Sequence, residues 1–233
     1  METLTIRDTH VSLPAVEESD LRTVSSLESD GPLDYFAYRD QELRLVEILD
    51  ARLHDGRIER IHTERARIDG SRLSGIEFTD CDLNSFALTD AKLARVRFTN
   101  CRLLGATLSE VTLEDVVFDR CRLDYTTFSK VVAKGPVAFV GCSLTEAEFN
   151  GSDLGKAAFS ENRLAQTQFN HGTYRGTDLR ENDLSAIRGV INLRRALLDR
   201  HQLSDLTSAL IGDLDLTFAD ELDDASNRDA GNW

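Results

Sequence analysis

No apolar run in this sequence approaches the ~18 residues that a membrane-spanning helix needs. The opening stretch METLTIRDTHVSLPAVEESD is acidic and lacks the apolar centre of a secretory signal. Both absences point to a cytoplasmic protein that does not engage the membrane. None of the four cysteines forms a C-x2-C pair, so zinc spacing is missing. A reducing cytoplasm also disfavours structural disulfides. There is no glycine-rich phosphate loop, no H-E-x-x-H and no nucleophile elbow. The five histidines (10, 54, 62, 171, 201) are scattered. The expectation is therefore a non-enzyme with no cofactor and no metal. Positive charge is short as well. The 27 Lys and Arg residues face 41 Asp and Glu, a net charge of −14 that disfavours direct nucleic-acid binding.

The cysteines that are present keep a regular interval. Cys81, Cys101 and Cys121 are 20 residues apart, and Cys142 follows 21 later. Inside that interval runs a step of five. From Ile48 to Phe128, 16 of the 17 positions at this step are apolar, Thr63 being the exception. After a one-residue slip, Phe139 to Leu184 continues the step with 10 of 10. A helix would repeat at 3.6 and a strand at 2.0. Two residues before each large apolar residue stands a mostly small one, such as Ala66, Cys101 or Ala147; Phe86 breaks this rule. Two inward positions in five make one side of a square coil, and four sides make a 20-residue turn. Residues 20 apart then stack, so the cysteines read as a buried packing ladder. The slip falls near Lys134, Gly135 and Pro136, the only proline within 48–190. Proline cannot donate to a ladder, so this reads as a bulge or a short outward loop that could take part in recognition.

The units CDLNS (81–85), AKLAR (91–95), CRLLG (101–105), SDLGK (152–156), TDLRE (177–181) and NDLSA (182–186) resemble the pentapeptide-repeat family. The resemblance covers about 48–190. It implies an all-β solenoid, a right-handed quadrilateral β-helix. In function it implies a protein-interaction rod. Some members imitate duplex DNA and bind DNA gyrase, giving fluoroquinolone resistance or self-protection. Residues 48–190 have a net charge of only −2, which argues against a uniform mimic. One face, over Ile48, Ile68, Leu88, Leu108, Phe128 and Phe149, concentrates acid. It carries Glu47, Asp50, Asp69, Asp90, Glu110 and Glu148 against Arg67 and Lys130, and is the candidate partner-binding surface. The face over Leu53, Leu73 and Leu93 is net positive.

A solenoid needs caps. Residues 1–47 have no repeat; Leu4, Ile6, Val11 and Leu13 suggest an extended segment, and Tyr35, Phe36 and Tyr38 are expected to cover the first coil. In 191–219, Asp199 with Gln202 marks a short C-terminal helix that Gly212 would stop. Its apolar side includes Leu203, Leu206, Leu210 and Leu214. That side could cap the last coil, and the resemblance implies that such a helix can also join two copies into a homodimer. The tail 220–233 reads as disordered.

Overall fold

The computed structural model describes residues 2–27, 31–83 and 85–216. The chain winds about seven right-handed turns into a four-sided β-solenoid that ends in one short helix. We number the four faces in chain order. Faces 1 to 4 lie over Ile48, Leu53, Ile58 and Thr63 and their counterparts in each later turn. Parallel ladders hold the turns in register: Leu73, Leu93 and Leu113 align on face 2, and Phe78, Phe98 and Phe118 on face 3. Faces 2 and 3 are joined by eight-residue strands such as Lys92–Thr99 and Thr112–Asp119.

The five-residue unit follows from local backbone chemistry. The second residue after most large inward ones turns the corner in the left-handed region, for example Gly70 (φ 61), Asp80 (φ 53) and Asn100 (φ 54). Glycine, Asp and Asn enter that region at least cost, which is why they recur there. Because the inward position recurs in register, like side chains stack. Phe78, Phe98, Phe118, Phe139 and Phe159 form one column with centroid spacings of 4.6, 4.9, 5.0 and 4.7 Å. Phe128, Phe149 and Phe169 form a second, meeting the first edge-on. Each buried ring contributes roughly 1.5–3 kcal/mol from area, and each ring pair about 0.5–1.5 kcal/mol more.

The small inward residues do a second job. Each cysteine thiol points at a backbone carbonyl 23 or 24 residues earlier: Cys101 at Phe78, Cys121 at Phe98, Cys142 at Phe118, over 3.3–3.5 Å. All four cysteines are free and buried. The ladder then changes chemistry but not geometry. Asn162 donates to the Phe139 carbonyl at 2.8 Å and Asn182 to that of Phe159 at 3.0 Å. Ser71, Thr126 and Thr167 do the same at other corners. A small polar residue here fills space and satisfies a carbonyl that water cannot reach.

The coil is longer than 48–190. Leu33–Arg39 already pairs in register with Arg52–Glu59, and Asp178 still bridges Leu197. Phe36 and Tyr38 are therefore buried members of the solenoid, not a cover over its open end; only Tyr35 is exposed. The extra residue near Pro136 is a flat bulge. Lys134 and Gly135 both donate to the Leu113 carbonyl, and the Pro136 carbonyl accepts from Val116. Proline sits there because its position offers only a carbonyl to the ladder.

The helix spans Leu203–Leu214 and closes the last turn with Leu206 and Ala209. It stops at Asp215 in the left-handed region (φ 50), not at Gly212. The Gln202 side chain accepts from the Asp199 backbone at 2.8 Å and donates to the Leu179 and Asn182 carbonyls. Asp213 and Asp205 accept from the Val190 and Leu184 backbone N–H groups of the last turn. The expected tail 220–233 lies outside the described residues.

Candidate functional site

The interior is filled by its own side chains, so chemistry toward other molecules is left to the outer faces and the ends. Among the described residues no group of His, Cys, Asp and Glu gathers as a metal site, and no helix is long and apolar enough to cross a membrane.

On face 1 the ladder register separates the six acidic residues into three columns. Glu47 and Glu148 belong to one, spaced by Arg67, Ala87, Thr107 and Thr127. Asp69 belongs to a second, beside Thr89. Asp50, Asp90 and Glu110 occupy the left-handed corner, where Lys130 follows one turn later. Only Asp90 and Glu110 are neighbours of like charge. Two of the six are neutralised: Asp69 by Arg67 at 2.6 Å and Glu110 by Lys130 at 2.8 Å. The hydrogen bond from Lys130 holds the Glu110 carboxyl below its ordinary pKa. Glu148 accepts from Asn150. The face is thus a mixed surface with an acidic corner rather than a continuous acidic stack. Lys134, Gly135 and Pro136 lie on the corner between faces 2 and 3, their backbone held to the preceding turn, with Lys134 exposed. The Lys156 ammonium donates to the Lys134 carbonyl.

Face 3 is covered, which the sequence reading missed. The N-terminal residues are not a lone extended segment. Thr3–Ile6 and Thr9–Ser12 form an antiparallel hairpin that lies on the outside of the coil. Ile6, Val11 and Leu13 pack on Val117, Ala138 and Ala158, three outward residues from successive turns. Arg7, at the hairpin turn, donates to Asp178 at 2.8 Å, to Glu181 at 3.0 Å and to the Phe159 carbonyl. Arg180 reaches back to Asp8. The chain then runs along the coil, where Glu18 pairs with Arg39 and Arg57. The signal for this cover was in the sequence. At the matching positions the three preceding turns carry Arg57, Glu77 and Arg97, and three apolar residues in a row on an outward column demand a partner.

At the C-terminal end the predicted leucines divide. Leu206 faces the coil, whereas Leu203 is 64% exposed, Leu210 39% and Leu214 54%. At spacings of seven and four these three share one side of the helix. Leu210 and Leu214 border a shallow groove with Ile191 and Arg188.

The repeat and its geometry agree with one family profile, described as a pentapeptide repeat region, which matches residues 51–128 and 91–169. Those matches span 51–169, just over half of the 233 residues. The chain belongs to the pentapeptide-repeat family. Among solved pentapeptide-repeat structures, a trypsin-treated form of QnrB1, a plasmid-mediated fluoroquinolone resistance protein, is 16% identical. That alignment covers 78% of this chain and 98% of QnrB1, with a TM-score of 0.36. HetL, involved in heterocyst differentiation regulation in the cyanobacterium Nostoc sp. strain PCC 7120, is 17% identical. It covers 71% of this chain and 86% of its own, with a TM-score of 0.34. No curated protein matches the chain. At these identities the likeness to QnrB1 and HetL is one of fold.

Proposed function

We propose that this pentapeptide-repeat protein is a non-enzymatic protein-interaction rod, joined into a homodimer through its C-terminal helix. The observation that carries the reading is the row Leu203, Leu210 and Leu214, exposed on a helix whose other side is already committed to the coil. Three leucines in one stripe expose apolar area that association with a second copy removes from water. The outer surface proposed to meet a protein partner is face 1, opposite the face that the arm covers. Its acidic corner suits a basic partner surface. Incorporating a photo-crosslinking amino acid at Asp90 in the native cell should give discrete protein adducts. Adducts that are no different from those of an interior-facing control position would contradict the reading.

A narrower reading is favoured by Asp90 and Glu110 on adjacent turns at about the 4.8 Å strand spacing: partial imitation of DNA and modulation of gyrase. The pairing of Asp69 and Glu110 with cations reduces the charge available for it. Purified protein would then alter gyrase supercoiling in a salt-sensitive way, and Asp50→Lys with Asp90→Lys would remove the effect. Absence of any effect on supercoiling would eliminate gyrase and leave the interaction rod with another partner. A control reversal of acids on another face should spare Asp115, which accepts from the Ser12 backbone and belongs to the arm contact.

A further inference from the structure

We infer that the window on face 3 formed by Val117, Ala138 and Ala158 is a docking site for an extended aliphatic segment, and that the N-terminal arm is its built-in, releasable occupant. Three features lead there. First, the coil does not need the arm for its own backbone. Val117, Ala138 and Ala158 already pair in the face 3 ladder with Arg97, Val117 and Ala138 of the preceding turns. The window is therefore a finished surface that something else covers. Second, the cover is weakly self-sufficient. Its strands are four residues each, and a two-stranded hairpin of that size is marginal alone. It stays in place through a few aliphatic contacts, the largely buried Arg7–Asp178 pair and more exposed pairs at Glu181 and Asp8. Its two strands pair only with each other, which places it at the low-stability end of the molecule. Third, on the three turns before the window the outward side chains of this column are charged and paired: Arg57 with Glu77 and Glu18, and Arg97 with Asp119. The window replaces them with three apolar residues in succession.

The arm defines the chemistry of what fits. The occupant alternates aliphatic residues on one side, as Ile6, Val11 and Leu13 do, and presents an arginine to Asp178 and Glu181 at the far edge. A partner segment with this pattern would enter as the arm leaves. This gives the rod a second interaction surface, separate from face 1 and from the helix, whose access the arm controls.

The test uses the full chain. A fluorescent peptide of residues 2–20 is titrated into wild type, into Val11→Asp, and into Val11→Asp with Ala138→Asp. Val11→Asp should unseat the resident arm and bind the peptide at least tenfold more tightly than wild type. Ala138→Asp should abolish that gain. The coil should keep its far-ultraviolet spectrum in both variants. Equal binding by wild type and Val11→Asp, binding that survives Ala138→Asp, or loss of the coil fold in Val11→Asp would each overturn the proposal. Hydrogen exchange on wild type is an independent check. The Thr3–Ser12 amides should exchange together, at least a hundredfold faster than those of Lys92–Thr99. Exchange as slow as the coil would show the arm to be a fixed part of the fold.

Discussion

Val117 and Phe118 are neighbours in sequence and both are fully buried, yet for different reasons. Phe118 points into the tube, where the five-residue step requires a large apolar residue. Val117 points out and is buried only because the hairpin lies on it. Faces 1 and 3 make the same contrast at larger scale. At matching outward positions face 1 carries Glu47, Arg67, Ala87, Thr107, Thr127 and Glu148, and no segment of the described chain packs over it as the arm does over face 3. Face 3 carries Ala37, Arg57, Glu77 and Arg97, then Val117, Ala138 and Ala158 under the arm. In a solenoid, inward burial reports the repeat, whereas outward apolar residues report a partner.

Substitutions at these two kinds of buried position should separate sharply. Phe118→Ala opens a void in the aromatic column and should cost about 3–5 kcal/mol, seen as a lower denaturation midpoint for the whole coil. Val117→Asp should instead free the arm while the coil midpoint moves little. If the two variants lose similar stability, the arm is integral to the solenoid and the distinction fails.

A smaller effect is expected from Cys101→Ala. It removes one buried sulfur and a weak hydrogen bond to the Phe78 carbonyl, so roughly 1 kcal/mol is the scale. Oligomeric state should be unchanged. Contact with the Cys121 thiol, and then burial, push the Cys142 thiol well above its ordinary pKa. Because all four thiols are buried, native protein should resist thiol reagents until it unfolds; rapid labelling of the folded chain would contradict the packing role.

Acid should act on the arm before the coil. Hydrogen bonds from Arg39, then the charges of Arg39 and Arg57, hold Glu18 below its ordinary value. Burial works to raise Asp178, but Arg180 and Arg7 override it and keep this carboxyl low as well. Both folded pKa values lie below the unfolded ones. Their stabilisation is therefore present above the unfolded values, about 3.9 for Asp and 4.3 for Glu, and is lost as pH falls through the folded ones. Exchange of the arm amides, corrected for the intrinsic pH effect, should lose protection below about pH 4 while the coil stays protected. Simultaneous loss in both regions would contradict this ordering.

Much of the fold was legible because the repeat has one rule per position. The step of five located the columns, and the slip located the bulge at Gly135 and Pro136. The same step extends back through Leu43, Tyr38 and Leu33, so the earlier start was readable too. It was obscured by the acidic, repeat-free residues before it. The surface was less legible because outward positions are set by contacts across turns and with the ends. The acidic residues illustrate this. A count of charge cannot show that Asp69 and Glu110 are neutralised. Nor can it show that Asp8 and Glu18 bind coil arginines, or that Asp205 and Asp213 accept backbone donors of the last turn. Four acids at the two ends, Asp8, Glu18, Asp205 and Asp213, are thereby engaged within the molecule.

If outward apolar residues report partners, the stripe on the C-terminal helix needs one, and none of the described chain covers it. The direct measurement is sedimentation equilibrium at micromolar concentration on wild type and on Leu203→Asp with Leu210→Asp and Leu214→Asp. These three positions spare Leu206 and Ala209, which close the coil. The expected result is a wild-type dimer and a folded monomeric variant with an unchanged melting profile. A wild type that remains monomeric across this range would contradict the account.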